Sequence, residues 1–134
     1  MSERRFPTAP NTAAAIRTAL GQNNIEAADR LITELFGRVI NASGEIPAEA
    51  LARPGSTGDA RYDTLLAVGL AYALKTHGLP PAAWMDAVPA LSVEWVWDQD
   101  PDPLPEYREY IRRQTPPMFL AKGLLLRDRD LRIL

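Results

Sequence analysis

Asn23-Asn24-Ile25-Glu26-Ala27-Ala28-Asp29-Arg30-Leu31-Ile32-Thr33-Glu34-Leu35-Phe36-Gly37-Arg38-Val39-Ile40 is the stretch that decides the fold class. Ile25, Ala28, Leu31, Ile32, Leu35, Phe36, Val39 and Ile40 recur at steps of three and four. A helix turning once per about 3.6 residues brings such positions to one side. Asp29, Arg30, Glu34 and Arg38 fall on the other side, so the segment reads as an amphipathic helix with a solvated outer face. Asn23 and Glu26 have the spacing of a capping box. Glu26/Arg30 and Glu34/Arg38 read as solvated pairs, each contributing about 0.3 kcal/mol. Gly37 costs about 1 kcal/mol relative to alanine inside a helix, so it is expected to admit a closely packed neighbour.

Working outward, residues 1–10 contain Pro7 and Pro10 and read as a flexible arm. Residues 11–134 read as one domain, a size that can bury a core without staples. Asn11 or Thr12 can cap a first helix running to Leu20, with Gly21 ending it. Beyond the deciding stretch, Pro47 to Ala52 predicts a helical turn, and Arg53 to Gly58 a mobile loop. Asp59 to His77 predicts the central helix, because Tyr62, Leu65, Leu66, Val68, Leu70, Tyr72 and Leu74 leave it apolar on most sides. Gly78 fits the position after its last turn. A short helix bounded by prolines follows over Pro81 to Val88, carrying Trp84.

The tail is the most punctuated region. Val93-Glu94-Trp95-Val96-Trp97 alternates as an extended segment would, but is too short to assign to a sheet. Pro101, Pro103 and Pro105 forbid helix before Leu104. Leu104 to Gln114 predicts a helix with Leu104, Tyr107 and Ile111 on one side. Thr115 is placed to cap the next helix, with Pro116 and Pro117 in its first turn and Gly123 as its stop. Leu124 to Leu126 reads as an extended apolar run, and Asp128 as the cap of a final turn. The whole is an all-α single domain of about six helices, with an irregular, proline-rich aromatic segment near the C-terminus.

Composition narrows the chemistry. The chain has 134 residues, a net charge of −2, one histidine and no cysteine. Disulfides and thiolate metal centres are thereby excluded, and with His77 as the lone histidine no transition-metal site is expected. His77 is expected to be structural, at a helix C-terminus where a cationic ring suits the dipole. Asp98, Asp100 and Asp102 alternate as in a calcium loop, but the sixth position, which needs glycine, is Pro103. No phosphate-binding glycine loop and no activated-serine motif is present. Pro47 to Ala52 after Ser43-Gly44 imitates a helix-turn-helix, yet its reading helix would carry Glu49 and no base-reading side chain. No leader segment and no membrane span is expected, and the location is expected to be cytoplasmic.

Charge is uneven along the tail. Glu94, Asp98, Asp100, Asp102, Glu106 and Glu109 stand against Arg108, and then Arg112, Arg113, Lys122, Arg127, Arg129 and Arg132 stand against Asp128 and Asp130. Either the two blocks neutralise each other within the fold, or one of them meets a charged partner.

The order Glu94-Trp95-Val96-Trp97, a short helix, Thr115-Pro116-Pro117-x-Phe119, Gly123, an aliphatic run and Asp128-x-Asp130-Leu131 resembles that of a group of small bacterial operon proteins. Their genes lie beside nucleotidyltransferase-fold or other toxin-like partners, and they are usually taken as antitoxins or as partners of unknown function. The similarity covers about a third of the chain, and Leu124 to Leu126 stands where an Ile-Phe-Val type of run is expected. The resemblance implies a bacterial toxin–antitoxin component without enzymatic activity or cofactor, whose partner is a cognate toxin-like protein.

The expected partner surface is Trp95, Trp97, Asp98, Asp100, Asp102, Tyr107 and Tyr110, with acids steering toward a basic cleft and aromatics supplying affinity. Alanine at Trp95 and Trp97 is expected to weaken partner binding far more than changes at Glu26 or Glu34. Two alternatives remain open. One is a nucleic-acid-binding regulator using Arg112, Arg113, Lys122, Arg127, Arg129 and Arg132; the other is a homo-oligomeric accessory protein.

Overall fold

The computed structural model describes residues 6–97 and 102–131. Asp98, Asp100 and Arg132, three of the candidate contact residues, lie outside them. Six α-helices are present among the described residues: α1 (Ala9–Gly21), α2 (Ile25–Ile40), α3 (Ala60–Lys75), α4 (Ala83–Ala87), α5 (Pro105–Gln114) and α6 (Pro117–Leu120). Two short strands, β1 (Trp95–Val96) and β2 (Leu124–Leu125), pair in parallel, with Trp95 opposite Leu124 and Val96 opposite Leu125. Single 3-10 turns cover Ala48–Leu51 and Asp128–Leu131. The all-α reading holds. None of the described helices is long and apolar enough to cross a membrane.

The core is built around α3, which buries eleven of its residues and packs against α1, α2, α4 and α6. α2 lays Ile32, Leu35, Phe36 and Val39 into it, all fully buried. Each such side chain contributes about 2 kcal/mol by leaving water. The close approach between α2 and α3 is made at Gly69, against the ring of Phe36. Gly37, expected to provide such an approach, has nothing within 4 Å of the place a Cβ would occupy.

Helix ends differ from expectation in instructive ways. α1 starts at Ala9 because Thr8, not Asn11 or Thr12, is its cap, with Thr8 Oγ1 accepting from Asn11 N at 3.1 Å. Residues 6–10 are therefore joined to the domain, since Phe6 packs on the core and Ala9 is buried. Gly21 does not stop α1. Asn23 takes the left-handed conformation (φ 56°), and Asn24 N reaches back to Ala19 O at 2.8 Å while Asn23 N bonds Leu20 O at 3.0 Å. That is a Schellman closure with asparagine in place of glycine. Asn24, one residue later than expected, caps α2 by accepting from Ala27 N. α3 ends as expected at Gly78 (φ 69°), through Leu79 N to Leu74 O and Gly78 N to Lys75 O.

The segment expected to be a mobile loop is tied down. Asp63 accepts from Ser56 Oγ, Thr57 N and Thr57 Oγ1 at 2.7 to 2.8 Å, and Thr57 is buried. The imitation helix-turn-helix is only the 3-10 turn Ala48–Leu51, packed on α1. Thr115 does not cap α6 either; Pro116 precedes it with no side-chain cap. Thr115 Oγ1 instead donates to Ile111 O at 2.8 Å and accepts from Leu126 N at 3.2 Å, joining α5 to the residue after β2. Leu124, Leu125 and Leu126 are fully buried, which explains the apolar run.

Candidate functional site

Asp29 organises the site. It lies on the side of α2 read as solvated, yet its Oδ1 accepts from Tyr62 Oη at 2.7 Å and from Trp97 Nε1 at 2.9 Å. One carboxylate oxygen thus fastens α3 and the residue after β1 to α2. Burial first, and then the bond to Asp29 and its charge, push the Tyr62 hydroxyl far above its ordinary range, so it is a permanent donor here. On the other side of Tyr62, the Trp95 ring packs at 5.2 Å between centroids, and the Arg61 guanidinium sits 5.1 Å from the Trp95 ring. Arg61 is held there by a two-point bond to Asp59. Trp84 is half-buried and donates Nε1–H to Leu51 O. His77 Nε2 bonds Val39 O at 2.7 Å, a structural tie between α3 and α2.

Between α2, Trp97, α5 and the C-terminal 3-10 turn lies a groove of about 600 Å³. Val96, Thr33 and Ile111 line it as buried residues, Trp97 and Tyr107 are half-buried along it, and Glu26, Arg30 and Arg129 are exposed at it. Tyr107 and Tyr110 lie 6.3 Å apart between ring centroids, which carries the aromatic surface onto the outer side of α5. A hydrogen bond from Gln114, and then the charges of Arg127 and Arg129, draw the Tyr110 hydroxyl below its ordinary value. Arg127 itself is turned inward and held by Asp130 through its backbone N–H and its guanidinium, at 2.8 to 3.3 Å.

The two rival sets of contact residues converge in part. Trp97 and Tyr107 from the aromatic set line the groove together with Arg127 and Arg129 from the basic set. Trp95 does not; it belongs to the Tyr62 cluster. Asp102 is exposed, beside buried Pro103. The remaining bases are dispersed. Arg112 forks onto Glu94 and also bonds Glu109 at 3.1 Å, and Arg113 lies 3.7 Å from Glu109. Lys122 Nζ donates to Val88 O at 2.6 Å. The acidic and basic blocks therefore neutralise each other at Glu94, Glu109 and Arg112.

The Arg112 hydrogen bond holds the Glu94 carboxyl below its ordinary value. A carboxyl depressed in the folded state stabilises at pH above its unfolded value, and that contribution is lost as pH falls through the folded value. Glu94→Gln is expected to lower the urea midpoint slightly at neutral pH. The difference from wild type should vanish under acid, as titrating the midpoint against pH will show; a gap that persists there rules out Glu94 as its source.

Sequence reasoning missed the Asp29–Tyr62 bond and the place of Arg30 on the groove. A signal was present: Glu26, Asp29, Arg30 and Thr33 are themselves spaced i, i+3, i+4, i+7, a polar stripe with a threonine in it. Thr33 is buried and its hydroxyl is satisfied by Asp29 O and Arg30 O at 2.9 and 3.0 Å. No group of three or more His, Cys, Asp and Glu side chains among the described residues is arranged to hold a metal ion. Fold and site together define an all-α domain with an aromatic groove edged by arginine. Comparison with protein-family models, with curated proteins and with solved structures returns no match.

Proposed function

We propose that this chain is a non-enzymatic protein-binding module that neutralises a toxin-like partner, and that it binds through the groove face. The observation that carries the reading is the grouping of Trp97, Tyr107 and Tyr110 with exposed Arg129 on one surface. Aromatic residues and arginine are the types that interfaces concentrate and that dominate binding energy. The acidic residues of the neighbouring segment supply steering toward a basic cleft, and the bound face supplies residence.

Trp95 and Trp97 are poor probes of this idea, because each is fastened to the core through Tyr62 or Asp29. Tyr110 is the better one, being 50% exposed. Tagged full-length protein is expected to capture one stoichiometric protein from its native host. Tyr110→Ala should weaken that capture by about tenfold or more. Leu79→Ser, exposed at the end of α3, should leave it unchanged. Expressing the captured protein alone should arrest growth, and co-expressing this chain should relieve the arrest. Recovery of nucleic acid, or of this chain alone, would favour a regulator or a self-assembling accessory protein instead.

A further inference from the structure

We infer that the groove beside α2 receives an acidic side chain of the protein partner, presented next to an aromatic or aliphatic anchor. The inference rests on the protein-binding reading above and specifies the chemistry that the groove selects.

Charge complementarity decides the occupant. Six charged residues line the groove, but three are committed: Asp29 to Tyr62 and Trp97, and Arg127 and Asp130 to each other. Glu26, Arg30 and Arg129 remain, all exposed, and among the described residues none of the three is in an ion pair. Two arginines against one glutamate favour a single carboxylate, which a guanidinium takes by two parallel hydrogen bonds. The buried floor of Val96 and Ile111, with Trp97 and Tyr107 alongside, offers an apolar seat for the neighbouring anchor. A volume of about 600 Å³ accommodates a few residues of peptide and no folded element. A polyanion fits poorly. Glu26 lines the groove, exposed Glu106 lies on α5, and the chain's net charge is −2. The groove thus carries two uncommitted arginines, Arg30 and Arg129, against one glutamate, Glu26.

The test pans a phage-displayed random heptapeptide library against full-length protein. Selected peptides are expected to pair Asp or Glu with Phe, Tyr, Trp or Leu. Arg30→Glu/Arg129→Glu, two changes at exposed positions, should weaken a synthetic selected peptide by about tenfold to a hundredfold. The same peptide with its acid changed to lysine should regain affinity for that double variant. Selection of no peptide, of basic peptides, or of acidic peptides indifferent to the double variant would overturn the inference. So would tighter binding of a single-stranded oligonucleotide at physiological salt, competing with the peptide. If wild-type protein captures a host partner and the double variant captures it equally, the groove inference falls and the protein-binding reading stands. If wild type captures no partner, it is the protein-binding reading that falls.

Discussion

Gly69→Ala should remove a large part of the folding stability, about 3 kcal/mol or more, although alanine is ordinarily the better helix residue. A Cβ at position 69 would lie 2.5 and 2.6 Å from Phe36 Cε2 and Cε1, and closer still to Cζ. The ring has little room to withdraw, because Phe36 is itself fully buried in the core. Either α2 and α3 separate, loosening the packing on both sides, or the ring leaves its rotamer. Against a total of about 5–15 kcal/mol for a domain, such a loss is severe. Phe36→Leu in the Gly69→Ala background should restore part of it, because the two positions share one contact and their effects cannot add. Gly37→Ala is the matched control: it is also in a helix, with nothing near its Cβ position, and it should gain about 0.5–1 kcal/mol. Urea unfolding of the three variants beside wild type measures all of this. A Gly69→Ala protein as stable as wild type would show that the helices do not approach as described.

Asp29→Ala should cost about 2–4 kcal/mol. It leaves two donors, Tyr62 Oη and Trp97 Nε1, without their shared acceptor in a partly buried site. Asp29→Asn keeps an oxygen at the same place and should lose less than half as much. Because Trp97 is one of the two donors, the alanine variant should also shift tryptophan emission to longer wavelength in the folded protein, which a remote destabilising change would not do. Unfolding midpoints and native-state emission spectra of the two variants decide the matter. Equal losses from alanine and asparagine would mean that charge, and not the shared acceptor, holds the site.

The elements legible in the sequence are those set by local rules. The 3.6-residue period of α2, the near-continuous apolar run of α3 and the glycine stop at Gly78 each depend on neighbours along the chain. Where the reading slipped, the deciding partner was distant or of equal rank. Thr8, Asn11 and Thr12 are all competent caps, and Asn23 and Asn24 differ only in which accepts the left-handed turn. Gly37 and Gly69 are both helical glycines, and only the opposing ring of Phe36 distinguishes them. The β1–β2 pair joins segments far apart in sequence, so no window covering Trp95 alone contains its partner Leu124. Half of the groove was visible as aromatic and basic residues of the tail. The α2 half was hidden because a polar face that borders another element reads like one that borders water.

The parallel pairing of β1 with β2 also sets an order of assembly. A tight hairpin cannot join parallel strands, and here α5 and α6 lie between them. Closing that long connection costs entropy that the neighbouring α1 and α2 never meet. The helical hairpin is therefore expected to condense early and the tail to dock last, when Trp95 and Trp97 donate their backbone N–H groups to Gly123 and Leu125. Because the groove is walled by α2 on one side and by the tail on the other, it comes into being only at this final step. Any ligand it holds acts as a clasp on the least secure third of the chain. Without a ligand in the groove that third is expected to open first, which native-state hydrogen exchange over α5 and the β1–β2 pair would show.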